Sequence, residues 1–162
     1  RRRRWGQRCV RRLRADRGDP RRRGRIIALI VDAGPLYAYV DRDDARHQEC
    51  LDLLQSHPGP LLVPVLVITE VTYLLGTRLG TGSEVRFLGD LAAGNLIAEP
   101  VAATDWLRIA ELVCQYRDLP LGTADASVLA AAERLDAPQI ATLDRRHFGV
   151  VQSRIGPLTL LP

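Results

Sequence analysis

The sequence predicts a three-layer α/β domain, with helices over both faces of a mostly parallel central sheet of four to five strands. Short aliphatic and β-branched runs alternate with amphipathic helical stretches, with no internal repeat, which is the order a parallel sheet requires. The first run is continuously apolar, as suits a strand buried on both faces. At 162 residues the chain is one domain's length. A chain of that size buries about 70% of its unfolded surface with no help from a disulfide or structural metal.

IIALIV, from Ile26, is the first strand and closes on Asp32. A short helix over Gly34 to Val40 follows. In DRDDARHQECLDLLQSH, Cys50, Leu51, Leu53 and Leu54 recur at helical spacing opposite Arg46, Glu49 and Asp52. His57-Pro58-Gly59-Pro60 stops that helix, and residues 61–65, LLVPV, make the second strand. The helix VLVITEVTYLLGTRLG carries a stripe of Val67, Ile68, Val71, Leu74, Leu75 and Leu79, and ends at Gly80 or Gly82. A weaker helix over 83–93 precedes the third strand, NLIAEPV, which Pro100 closes. Ala103 to Tyr116 is amphipathic, with Trp106, Ile109, Leu112 and Val113 inward. After the DLPLG turn, Thr123 to Leu135 is helical; QIATL is the fourth strand and PLTLL the fifth.

Composition excludes several chemistries. All 23 basic residues are arginine, so phosphate loops that need a lysine, kinase chemistry, receiver domains and Schiff-base reactions are out of reach. Residues 1–25 hold 13 arginines against Asp16 and Asp19, a net of +11. The remaining 137 residues carry 10 arginines and 17 acids, a net of −7. The division expected is therefore a disordered arginine-rich arm over 1–25 and a folded domain over 26–162, since the arm is too polar to bury a core. Such an arm could bind nucleic acid through phosphate neutralisation. Because the chain lacks methionine and starts on arginine, the arm is expected to be an artefact of the start rather than native. It is not read as a signal or transit peptide.

Cys9, Cys50 and Cys114 are odd in number and lack zinc-like spacing, so they read as incidental thiols of a reducing, cytoplasmic protein. No apolar stretch reaches the ~18 residues of a membrane span. His47, His57 and His147 share no motif and read as structural or exposed.

The acids carry the chemistry. Asp32 and Asp144 each close a strand, and parallel neighbouring strands would bring both to one sheet edge, where open α/β sheets bind ligands. Taken singly, each is also an ordinary strand-exit aspartate. Asp125 stands in register with Val128, Leu129, Ala132 and Leu135, on the inward stripe of its helix. Two readings remain open at this position: a functional buried charge, or a first-turn aspartate behind a Thr123 N-cap. Glu70 lies beside the stripe of its helix, as a ligand or as a half-solvated glutamate. Jointly, four carboxylates converging on one edge repel by about 4 kcal/mol per pair at ~4 Å unless cations intervene. Oxygen donors without histidine or cysteine select Mg²⁺, with Mn²⁺ as a substitute, and such an ion activates water for phosphodiester hydrolysis.

The segments IVDAGPLYAYVDRDDARH, VITEVTYLLGTRLG, DLPLGTADASVLAAAERL and IATLDRRHF, in this order and spacing, resemble the PIN-domain fold, and in particular the VapC-type ribonuclease toxins of toxin–antitoxin pairs. The resemblance covers residues 27–162. It implies that Asp32, Glu70, Asp125 and Asp144 are catalytic metal ligands and that Thr123 and Thr142 orient carboxylates or water around them. It also implies an RNA substrate, a homodimer and a small antitoxin laid across the acidic groove. Arg145 and Arg146, beside Asp144, read either as a clamp for substrate phosphate or as solvated loop charges.

Two readings compete with the Mg²⁺- or Mn²⁺-dependent endoribonuclease. A non-catalytic RNA-binding or scaffolding module would use the arginine arm and keep binding RNA under chelation. A phosphatase working through an aspartyl phosphate is disfavoured, because Ala33-Gly34 follows Asp32 and lysine is missing.

Overall fold

Asp32 leaves the middle of a five-stranded sheet, and the rest of the architecture explains why that position is both buried and reachable. In the computed structural model the described residues are 28–119 and 121–162. The expected arm over 1–25, and Ile26 and Ile27 of the first strand, lie outside them.

β1 (Leu29–Val31) is followed by α1 (Ala33–Val40) and α2 (His47–Ser56), then β2 (Leu61–Pro64), α3 (Val65–Arg78) and α4 (Thr81–Ala92). β3 (Ile97–Glu99), α5 (Ala103–Gln115), α6 (Thr123–Arg134), β4 (Gln139–Ala141), α7 (Arg145–Phe148) and β5 (Thr159–Leu161) complete the order. The strands are all parallel, in the order β3-β2-β1-β4-β5. β2 stops where the next helix begins: Pro64 ends the strand and Val65 already starts α3.

Leu29, Ile30 and Val31 are each fully buried. Successive strand side chains point to opposite faces, so burial of all three shows that helices cover both sides of the sheet. α6 spans β1, β2 and β4 and packs against α3 and α5, while α1 packs on α2 and α3. Val128, Leu129 and Ala132 of α6 enter the same core as Val67, Val71 and Leu75 of α3. Phe87, fully buried on α4, anchors the helix whose sequence signal was weakest.

One expectation needs correction. Trp106 is 51% exposed rather than inward; the inward positions of α5 are Asp105, Ile109 and Leu112, with Asp105 held by Arg134 at 3.0 Å. α3 ends at Arg78, and Gly80, at φ +83°, is the carboxyl-terminal glycine expected there and makes the left-handed turn into α4. α7 escaped the sequence reading altogether, since four residues leave no periodicity to detect. Among the described residues no helix is long and apolar enough to cross a membrane.

Candidate active site

The acidic edge is assembled by topology. Asp32 follows β1, and its N–H continues the ladder to the Ala141 carbonyl of β4 at 2.9 Å. Thr142 follows β4, and its N–H reaches the Leu161 carbonyl of β5 at 2.8 Å. α3 starts at the carboxyl end of β2 and carries Glu70 in its second turn. α6 runs back toward the amino end of β4 through a tight turn in which Asp136 takes φ +50°. Its own first turn, with Asp125, therefore lies at the carboxyl edge of the sheet.

Asp32 is buried, at 5% exposure. Its Oδ2 accepts a 2.8 Å hydrogen bond from Thr142 Oγ1, which is itself buried, and Thr142 Oγ1 accepts the Asp144 N–H at 3.0 Å. Burial dominates the electrostatics and raises the Asp32 pKa to about 6. Thr142 and the Ala33 N–H pull it down, and the charges of Asp125 and Glu70 push it up. Glu70 is exposed on the rim of α3, yet its pKa is raised by desolvation of its carboxyl and by Asp125. Asp125 is half-buried and also raised, first by desolvation and then by Asp144; the Gly122 N–H and His147 oppose this. The four acids thus form one electrostatic unit.

Asp125 stands in the first turn of α6, beside the other acids, and its Oδ2 accepts the Gly122 N–H at 3.1 Å. The N-cap of that helix is Gly122 and not Thr123, which is exposed and makes no hydrogen bond to the acids among the described residues. Of the two threonines, only Thr142 touches the cluster. Asp144 caps α7, its Oδ1 accepting the Arg146 and His147 N–H groups, both at 3.0 Å. The Arg145 guanidinium is tied to the Pro162 main-chain oxygen, whereas Arg146 is exposed.

His47 and His57 are structural, as expected: His47 meets the Ala38 carbonyl at 2.8 Å, and His57 meets Gln139 at 3.0 Å. His147 is different. Its Nδ1 lies 2.9 Å from Asp144 Oδ2 and 3.8 Å from Asp125 Oδ2, so an imidazole does stand among the acids. The signal for it was the three-residue spacing from Asp144, which places the ring beside the cap once α7 is known to be helical.

These residues fit a hard divalent cation by donor chemistry, because the carboxylates crowd one edge at a cost that such an ion would relieve. Among the described residues no three His, Cys, Asp or Glu side chains form a ready-made coordination cluster, so taking an ion requires side chains to close in.

A family model described as the PIN domain matches residues 29–152. The curated protein Ribonuclease VapC26 of Mycobacterium tuberculosis (strain ATCC 25618 / H37Rv) is 33% identical over 124 residues, covering 76% of this chain and 92% of that protein. Among solved structures, Mycobacterium tuberculosis VapC20, described as a Sarcin-Ricin loop cleaving toxin, superposes with a TM-score of 0.71 at 20% identity. That match covers 80% of this chain and 99% of that one. VapBC2 from Rickettsia felis, bound to a promoter DNA fragment, gives 0.62 at 13% identity, covering 84% and 100%. The two structural likenesses concern the fold.

Proposed function

The chain belongs to the PIN-domain family, in its VapC branch, and we propose that it is the endoribonuclease toxin of a toxin–antitoxin pair. In this reading Asp32, Glu70, Asp125 and Asp144 hold the divalent ion, with Mg²⁺ as the working ion and Mn²⁺ as a substitute. The observation that supports it is the convergence of the acids on one sheet edge, where Thr142 Oγ1 joins the Asp32 carboxylate to the Asp144 N–H. Asp125 and Glu70 raise Asp32, Asp125 raises Glu70, and Asp144 raises Asp125.

Held by these four acids, a divalent ion would supply the positive charge that keeps them ionised and the Lewis acidity that activates water for phosphodiester hydrolysis. The chain's own residues supply the rest. Asp32 is fixed by Thr142 and by the Ala33 N–H, so its carboxylate needs little reorganisation. Asp144 is fixed as a helix cap. Arg146 gives the rim a guanidinium for substrate phosphate, which helps an otherwise acidic domain to attract RNA. The protein acts in the cytoplasm, pairs with a second copy of itself and is silenced by a small antitoxin protein.

The test is cleavage by the full chain, purified free of antitoxin, of a mixed RNA pool that includes a sarcin–ricin stem-loop. Cutting with Mg²⁺ or Mn²⁺ that chelator, Asp32→Asn and Asp125→Asn each abolish is the expected result. Folded protein that leaves every RNA intact overturns it. RNA binding that survives chelation and is lost without residues 1–25 would favour the non-catalytic module.

A further inference from the structure

His147 sets a ring nitrogen between acids from two different elements. Nδ1 is 2.9 Å from Asp144 Oδ2, at the start of its own helix, and 3.8 Å from Asp125 Oδ2 on α6. The ring is 18% exposed, and Nδ1 is buried without a hydrogen-bond partner, close to both carboxylates. Its main-chain N–H donates to the other Asp144 oxygen at 3.0 Å, so one residue meets both oxygens of that carboxylate. Phe148, at 2% exposure, roots α7 in the core and fixes where the ring can stand.

The two acids need such a spacer. Asp125 and Asp144 repel each other, and the ring lies on the side of both. Removing it would take away the ring that stands against both carboxylates. Carboxylates that hold a metal are oriented by partners of this kind.

We propose that His147 is a positioning residue that holds Asp125 and Asp144 at the separation and orientation in which both can take one divalent ion. The proposal rests on the reading of these acids as metal-holding. Its role is orientation, not ligation.

The experiment is calorimetric titration of the full chain with Mn²⁺, for the wild type and for His147→Ala, His147→Asn and His147→Gln, with metal-free thermal unfolding of each. His147→Ala is expected to weaken Mn²⁺ binding on the order of 10–100-fold. His147→Asn, whose amide nitrogen takes the place of Nδ1, is expected to restore most of it, and His147→Gln, whose amide lies farther out, is not. Wild-type affinity in a folded His147→Ala protein would overturn the proposal. So would equal loss in all three variants in step with a lowered melting temperature, which is a purely structural effect. A nitrogen coupling in the electron spin resonance of bound Mn²⁺ would make the ring a ligand and overturn the positioning role. Failure of the wild type to bind Mn²⁺ would instead sink the metal reading, and this inference with it.

Discussion

Thr142 Oγ1 donates a 2.8 Å hydrogen bond to Asp32 Oδ2 across a sequence gap of 110 residues, and the bond is buried. The same oxygen accepts the Asp144 N–H at 3.0 Å, so one hydroxyl sets the height of two acids at neighbouring strand ends.

Replacing that hydroxyl by a methyl group should change the titration of Asp32. Thr142 pulls the Asp32 pKa down, so Thr142→Val should carry it further above about 6 and move the acidic limb of the pH–activity profile upward. Thr142→Ser should leave the profile in place. A pH–rate series on the three proteins checks this, and an unmoved limb in the valine variant would refute it.

Asp32 should make the metal-free protein less stable as pH rises. Its pKa is raised from 3.8 to about 6, so the folded state binds the proton more tightly than the unfolded chain. The stabilisation is full below about pH 4 and is lost as pH climbs through 6, amounting to about 3 kcal/mol at most. Urea unfolding in chelator should therefore show Asp32→Asn more stable than wild type at pH 8, with the advantage vanishing at pH 4.

Adding the ion should reverse that penalty. At pH 8, Mn²⁺ or Mg²⁺ at a hundredfold excess over its Kd should stabilise the wild type by about 2.7 kcal/mol. Asp125→Asn should gain far less. Thermal melts with and without chelator read both numbers.

Arg108 and Glu133 form a two-pronged pair at 2.8 and 2.9 Å, both side chains largely buried, and Glu133 also accepts the Arg154 N–H at 2.9 Å. This joins α5, α6 and the segment leading to β5. Arg108→Ala strands a buried carboxylate and should cost about 3 kcal/mol in urea unfolding. The exposed pair of Arg46 and Glu49 should be dispensable in the same assay.

Arg146 and Arg145 should separate in kinetics. Arg146→Ala should raise KM with kcat little changed, and should reduce the salt slope of RNA binding by about 1. Arg145, already engaged with Pro162, should matter less.

The sheet and most helices were legible because burial on both faces writes unbroken apolar runs, as in IALIV, and helices write stripes, as in Val67, Val71 and Leu75. The placement of Asp32, Asp144 and Asp125 along one edge was legible because strand ends and the first turn of α6 are fixed points in a parallel topology, whereas Glu70, in the second turn of α3, is not at such a point. Trp106 misled because a large apolar side chain at helical spacing is assumed to face inward, whereas Asp105 takes the buried place through its pairing with Arg134. Thr123 misled because a threonine before a helix is read as its cap, although the chain starts α6 at Gly122. His147 was missed because its meaning depends on α7, and a four-residue helix has no sequence signature of its own.

The strand order has one last consequence, for when the site can form. Asp32 opens the domain, but Thr142, Asp144 and His147 come from its final stretch, and β4 docks directly beside β1. A chain emerging from the ribosome is made from its amino end. It can therefore tuck β1, β2 and β3 together long before the last pieces of the acidic edge exist. The acidic edge is complete only when nearly the whole domain has been translated.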